Sequence, residues 1–258
     1  MSRHSTIGTT LAALVVSACQ GGTSTTEASG ECGSAWGGEV CTWSVTEGGA
    51  VVQVGATIPV ASLAAAPPDA PFLWPPATEA ALDIPEGAGM THMTINWEAM
   101  GHPPVTFLVP HFDFHFYLIP EADRLAIDCG DLTKATAVPD GYALVDETLP
   151  PELVAITGVE TLVGVCVPEM GMHALSTAEA ANTEPFDGTI IVGYYGDAPI
   201  FIEPMISQAF LLERQSFDLP IPAIPGLEGS QPTTFRAEYL ADSDAFRFSF
   251  GGFGGADQ

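Results

Sequence analysis

Pro-His-Phe-Asp-Phe-His-Phe-Tyr, residues 110–117, alternates side chains that can hold a metal with rings that can fill a core. Successive side chains point to opposite faces of a strand. A strand here therefore presents His111, Asp113 and His115 on one face and Phe112, Phe114 and Phe116 on the other. One face packs, and the other is available for chemistry.

Outward from this strip, short β-rich runs recur with turn residues between them. Runs at 40–45 and 51–60 flank a Glu47-Gly48-Gly49 turn, and 90–97 reads as a strand. The clearest hairpin joins 189–195 to 199–206 through Gly196-Asp197, and strands at 233–240 and 245–250 flank Asp242-Ser243-Asp244. Residues 61–66 predict a single helical turn that Pro67 and Pro68 stop. The spacing further predicts a proline-rich loop over 71–85 with a short Ala-rich helix at 78–82, a short helix at 121–128, a strand at 161–167 and a loop at 168–173. The strip strand is expected to run on through Leu118 and Ile119 to Pro120. Few segments hold helical periodicity for ten residues. The expected fold is mainly β, a sandwich or barrel-like single domain over 32–258 with long Pro-rich loops and a few short helices.

The start of the chain carries an address. Arg3 and His4 precede an uncharged, mostly apolar run at 6–18, too short to span a bilayer and read as an export signal, residues 1–18. It ends Val16-Ser17-Ala18-Cys19, which resembles the lipobox of bacterial lipoproteins and makes Cys19 the lipidation site, with the membrane as partner through the lipid. Gln20 rather than Asp follows that cysteine, which favours the outer membrane or cell surface. Residues 19–31 are rich in Gly, Ser, Thr and Glu, as a flexible tether is. Four cysteines remain, an even number for an oxidising compartment. Pairing Cys32 with Cys41 and Cys129 with Cys166 is the expected arrangement among the three that four cysteines allow. With 6 Lys and Arg against 32 Asp and Glu, the surface repels nucleic acid, which excludes that class of partner.

Five histidines lie between His92 and His173: His92, His102, His111, His115 and His173. His102 sits in a Gly101-His102-Pro103-Pro104 turn just before the strip. Asp113, Glu169 and Glu203 are the carboxylates within the same motifs. At ~3.3 Å per residue, His111 and His115 stand ~13 Å apart along a regular strand, too far for one ion. Either a bulge brings them together, or one ligates while the other supports. Catalytic zinc takes three protein ligands plus water, so His115, His173 and Asp113 or Glu203 suffice. The leading expectation is one divalent-metal site built on His111, His115 and His173 with carboxylate help, and with Glu169 or Glu203 as general base. Zinc is the expected ion, and copper or nickel also accept imidazoles. The alternative is a metal-free buried His–Asp network in a binding or structural protein. No GxSxG, P-loop, dinucleotide fingerprint or HExxH pair is present.

Four stretches together resemble the TTHB-like bacterial domains of unknown function: Gly101-His102-Pro103-Pro104, the 110–117 strip, Met170-Gly171-Met172-His173, and Gly193-Tyr194-Tyr195 leading to Phe201-Ile202-Glu203-Pro204-Met205. The resemblance covers 38–206. It implies an exported or envelope domain with a His-rich metal site, a capacity to homo-oligomerise, and no established activity. Residues His102, His111, Asp113, His115, His173 and Glu203 are carried over by it, and 207–258 lie outside it. A lesser likeness to α-type carbonic anhydrases rests on metal-capable residues alternating along an aromatic-rich strand. It implies hydration or hydrolysis through metal-bound water, on a small molecule that the sequence does not identify.

Overall fold

A computed structural model describes residues 24–87 and 89–253. The signal segment, Cys19 and the tether up to residue 23 lie outside the described residues. In chain order the strands are β1 (Thr25–Ala35), β2 (Gly38–Glu47), β3 (Ala50–Pro59), β4 (Thr78–Asp83), β5 (His92–Glu98), β6 (His111–Tyr117), β7 (Tyr142–Ala143), β8 (Glu147–Thr148), β9 (Thr161–Leu162), β10 (Met172–Ser176), β11 (Gly188–Tyr195), β12 (Ala198–Ser207), β13 (Phe217–Pro220), β14 (Thr234–Leu240) and β15 (Ala245–Gly251). They form a six-stranded sheet ordered β1-β2-β3-β15-β14-β13, a seven-stranded sheet ordered β4-β5-β6-β12-β11-β10-β7, and the β8-β9 pair. The fold is mainly β and sandwich-like.

The phenylalanine face of β6 is the centre of the sandwich. Phe112, Phe114 and Phe116 are fully buried. Phe114 meets Phe248 and Phe116 meets Phe250 edge to face, each at 4.9 Å between ring centroids. Aromatic pairs favour this geometry, in which a positive edge meets a negative face. β15 pairs with β3, so Val54, Ala56 and Ile58 share the opposing wall with Phe246, Phe248 and Phe250. The C-terminal segment, which the family resemblance leaves out, thus supplies the aromatic part of the opposing wall.

Several expectations are corrected. The stretch expected as a tether is strand from Thr25 onward, paired with β2 and stapled by Cys32–Cys41 at directly opposed positions. Its polar residues suit an edge strand that is mostly exposed. The Ala-rich island forms β4 instead of a helix, because its backbone completes the open edge of β5 and Leu82 inserts into the core; tertiary pairing overrides alanine's helix propensity. The loop expected over 168–173 gives way to β10 at Met172, and β6 stops at Tyr117. The strand expected over 161–167 is two residues long, ending in a 3-10 turn at Val163–Val165 where Gly164 takes positive φ. Both expected disulfides are present, Cys32–Cys41 and Cys129–Cys166. Such bonds fit an oxidising, extracytoplasmic compartment. No helix among the described residues is long and apolar enough to cross a membrane.

Candidate metal centre

The other face of β6 points away from the sandwich, under the long connections 99–110 and 119–187. His111, Asp113 and His115 face this side, as do Thr94, Asn96 and Glu98 on β5, and Glu98 pairs directly with His111. On the other flank, Met205 pairs with Asp113 and Phe201 with Tyr117, so Glu203 falls beside His115. His173 comes from β10, two strands further on. It pairs with Gly193, which in turn pairs with Phe201. A Cβ on Gly193 would sit 2.0 Å from the Phe201 ring. The glycine lets that ring lie flat over β11, where it touches both His115 and His173, at 4.8 and 5.2 Å.

Two triads result, each with its candidate ligand atoms within 4.8 Å of one another and each able to hold a metal ion: His115, His173 and Glu203, and His102, His111 and Asp113. The single site on His111, His115 and His173 is therefore corrected: His111 and His115 belong to different groups, because a regular strand without a bulge keeps them four residues apart. In the first triad Glu203 Oε2 lies 3.6 Å from His115 Nε2 and 4.0 Å from His173 Nε2. In the second, His111 Nε2 lies 3.3 Å from Asp113 Oδ1. His102 crosses His111 edge to face at 4.8 Å. Gly101 aims it there: φ is +67°, and a Cβ would strike the Phe107 carbonyl at 2.1 Å. Only glycine takes that turn so close to another backbone.

Hydrogen bonding fixes the tautomers. Nδ1 of His102, His111 and His173 lies 2.8, 2.7 and 2.9 Å from the carbonyl oxygens of Pro103, Val109 and Val165. A carbonyl can only accept, so each Nδ1 carries the proton. Burial drives all four histidines below their usual pKa, with His173 at about 4, so they are neutral at neutral pH. In His102, His111 and His173 this leaves Nε2 a bare lone pair, and Nε2 of His111, His115 and His173 each faces a carboxylate oxygen. Burial, and then the Glu203 and Glu98 charges, holds Asp113 well above the usual carboxylate range. Burial, and then Glu98, does the same to Glu203, and burial pushes Glu98 up to about 7.

Among the described residues, the buried side-chain atoms without a hydrogen-bond partner include His111 Nε2, Asp113 Oδ1, both ring nitrogens of His115, and Glu203 Oε2. Native structures leave few such atoms. Here they converge.

Above the floor is a cavity of about 80 Å³. Glu98, His102, Asp113, His173 and Glu203 form its polar side, and Trp74, Leu153, Val167 and Met170 are among its apolar walls. The helix Pro151–Thr157 contributes Leu153 and Thr157 to the roof. Glu169, expected as a general base, does not line this cavity. Its Oε2 lies 3.7 Å from buried Arg124, and its carbonyl accepts from Tyr117 and Arg124, so it holds Arg124 against the Tyr117 ring. Glu203 sits among the histidines as a ligand candidate. Glu98 was missed by sequence reasoning; its signal was the alternation His92, Thr94, Asn96, Glu98, which puts it on the same face once β5 and β6 are paired.

No protein-family model, curated protein or solved structure matches this chain.

Proposed function

We propose that this is an exported, lipid-anchored envelope protein, tethered through Cys19 and related to the TTHB-like domains, that holds a divalent transition metal in the His115–His173–Glu203 triad. The observation that carries this reading is a convergence on Glu203 Oε2: that oxygen and His115 Nε2, both buried without a hydrogen-bond partner, lie 3.6 Å apart, and His173 Nε2 stands 4.0 Å from the same oxygen. These spacings lie beyond hydrogen-bond reach, so no single proton satisfies all three atoms. Donors around a tetrahedral zinc lie roughly 3.4 Å apart, so one ion would satisfy them after side-chain shifts of about half an ångström to an ångström. Two imidazoles and a carboxylate make a catalytic zinc set with one position left for water. Copper and nickel accept the same donors.

Glu203 and His173 border the cavity, which gives a ligand a route to that fourth position. None of the described residues lining it is Lys or Arg, so the site favours a small uncharged molecule with an apolar body over an anion. Glu98 also borders the cavity, beside the second triad. An ion held by His115, His173 and Glu203 would lower the pKa of a water bound to it, and the fitting reaction class is hydrolysis or hydration. A capacity to homo-oligomerise belongs to the same proposal.

The metal-free alternative has one observation in its favour. His111 Nε2 and Asp113 Oδ1 are 3.3 Å apart, close enough for a protonated carboxyl to donate to the imidazole.

Elemental analysis of the purified chain decides between them. The native protein is expected to retain metal through dialysis, and the His115→Ala, His173→Ala double variant to retain at least one ion per chain less. Metal-free native protein after reconstitution with zinc, copper or nickel sinks the metal reading.

A further inference from the structure

We infer that the centre is dinuclear: the second triad, His102, His111 and Asp113, joined by Glu98, is a second metal position beside the first. This rests on the proposed first site and deepens it. Three arguments support it.

The first is donor chemistry. Two imidazoles and a carboxylate repeat the composition of the first site, and their ligand atoms also lie within 4.8 Å of one another. His102 and His111 each spend Nδ1–H on a backbone carbonyl, of Pro103 and Val109. A carbonyl partner on the far nitrogen orients a ligand histidine and leaves Nε2 for the metal.

The second is the unmet need of buried atoms. His111 is fully buried and Asp113 is 6 % exposed, and both His111 Nε2 and Asp113 Oδ1 lack a partner. One proton shared between them meets that need only in part. It leaves the ring of His102, which crosses His111 edge to face at 4.8 Å, and the carboxyl groups of Glu98 and Glu203 on the same cavity without a cation. Four carboxyl groups, of buried Glu98, Asp113 and Glu203 and half-buried Glu147, line one pocket and call for positive charge, yet no Lys or Arg among the described residues lines it. One divalent ion at the first triad offsets two of these negative charges, and a second offsets the other two.

The third is the scaffold. Asp113 stands midway between His111 and His115 on one face of an unbulged strand, ~6.6 Å from each along the backbone. The two triads are thus adjacent along a rigid strand. Glu98, opposite His111 on β5, borders the cavity from the second triad's side. A small ligand in the cavity faces both positions at once, which suits an uncharged oxygen donor such as a carbonyl or ester held by one ion and met by water from the other.

The test is a cobalt titration of the purified full-length chain, followed by d–d absorption and by elemental analysis after equilibrium dialysis. Millimolar magnesium is kept present to occupy surface carboxylates. Two Co²⁺ per chain are expected. His102→Gln and Glu98→Gln, both at residues lining the cavity, are expected to reduce this to one while preserving the other ion's absorption. His173→Gln should remove the complementary ion. Near-UV circular dichroism establishes that each variant is folded. One Co²⁺ per chain that neither His102→Gln nor Glu98→Gln alters would overturn the second site and leave the first standing, with a shared proton on the His111–Asp113 pair. No Co²⁺ in the native chain would overturn both.

Discussion

On β6, Phe112, Phe114 and Phe116 meet a wall of β-strand rings, whereas His111, Asp113 and His115, each one residue away along the chain, meet connecting loops. Both faces are equally buried: all six side chains are 6 % exposed or less. What differs is how their needs are met. The phenylalanine face asks only for contact, and it finds contact in Phe246, Phe248 and Phe250. The histidine face asks for hydrogen bonds or charge, and several of its atoms find neither within the protein. Burial stabilises the first face and strains the second, so the strand carries the fold on one side and the chemistry on the other.

The largest expected effect lies on the phenylalanine side. Phe114→Ala should cost about 3–5 kcal/mol, as large-to-small changes at a fully buried ring do. Denaturant midpoints should fall equally with and without metal. A loss that added zinc restores would mean that the two faces are not independent.

Next is the staple on the cover of the histidine face. Cys129–Cys166 closes a 37-residue separation across the connections that lie over this face. Replacing both cysteines with serine should cost roughly 2–4 kcal/mol by releasing the unfolded chain. It should also speed metal exchange, measured by transfer to a chromophoric chelator. Serine replacement of Cys32 and Cys41, far out on the β1 edge, should leave that rate unchanged.

The sharpest contrast is a change of sign. His115 is 1 % exposed with neither ring nitrogen partnered. His115→Leu should raise the stability of the metal-free protein by about 1–3 kcal/mol, since it removes unsatisfied buried polar atoms. The same change should remove the part of zinc stabilisation that the His115–His173–Glu203 site contributes, about 2.7 kcal/mol at a hundredfold excess over that site's Kd. Thermal scans with and without zinc measure both. A destabilised metal-free variant would show that His115 is satisfied by a proton network instead.

These contrasts also explain what could be read from the sequence. The period-two alternation at 111–116 gave both faces without any structure, because a strand's geometry depends on nothing outside it. The hairpin at Gly196-Asp197 was equally plain, since its turn chemistry is local. The partition into two triads was not legible. It depends on register between β6 and β12 and on Gly193 leaving room for Phe201, and both are long-range. β1 and β4 were missed for the same reason: polar and Ala-rich residues become strand there only because a neighbouring edge needs pairing. Glu169 misled because it lies close in sequence to His173, whereas the positive-φ turn it occupies directs it to Arg124.

The smallest effect separates burial from metal binding within the histidine face itself. His92 shares the face and stacks on Tyr117 at 4.6 Å, nearly parallel, yet belongs to neither triad. Burial, and then the Arg124 charge, lowers its pKa from 6.5 to about 4. The folded state therefore binds this proton less readily than the unfolded chain does. Its contribution to stability is full above about pH 6.5 and is lost as pH falls toward 4. His92→Phe keeps the stack and removes the titration. The stability difference between native and variant protein should be flat above pH 6.5 and tilt against the native chain below it, by under about 1 kcal/mol per pH unit after solvent screening. Because the triad histidines are common to both proteins, their titration cancels in that difference. A tilt that vanished on metal loading would tie His92 to the centre after all; one that persisted would confine the metal to the residues around Asp113 and Glu203.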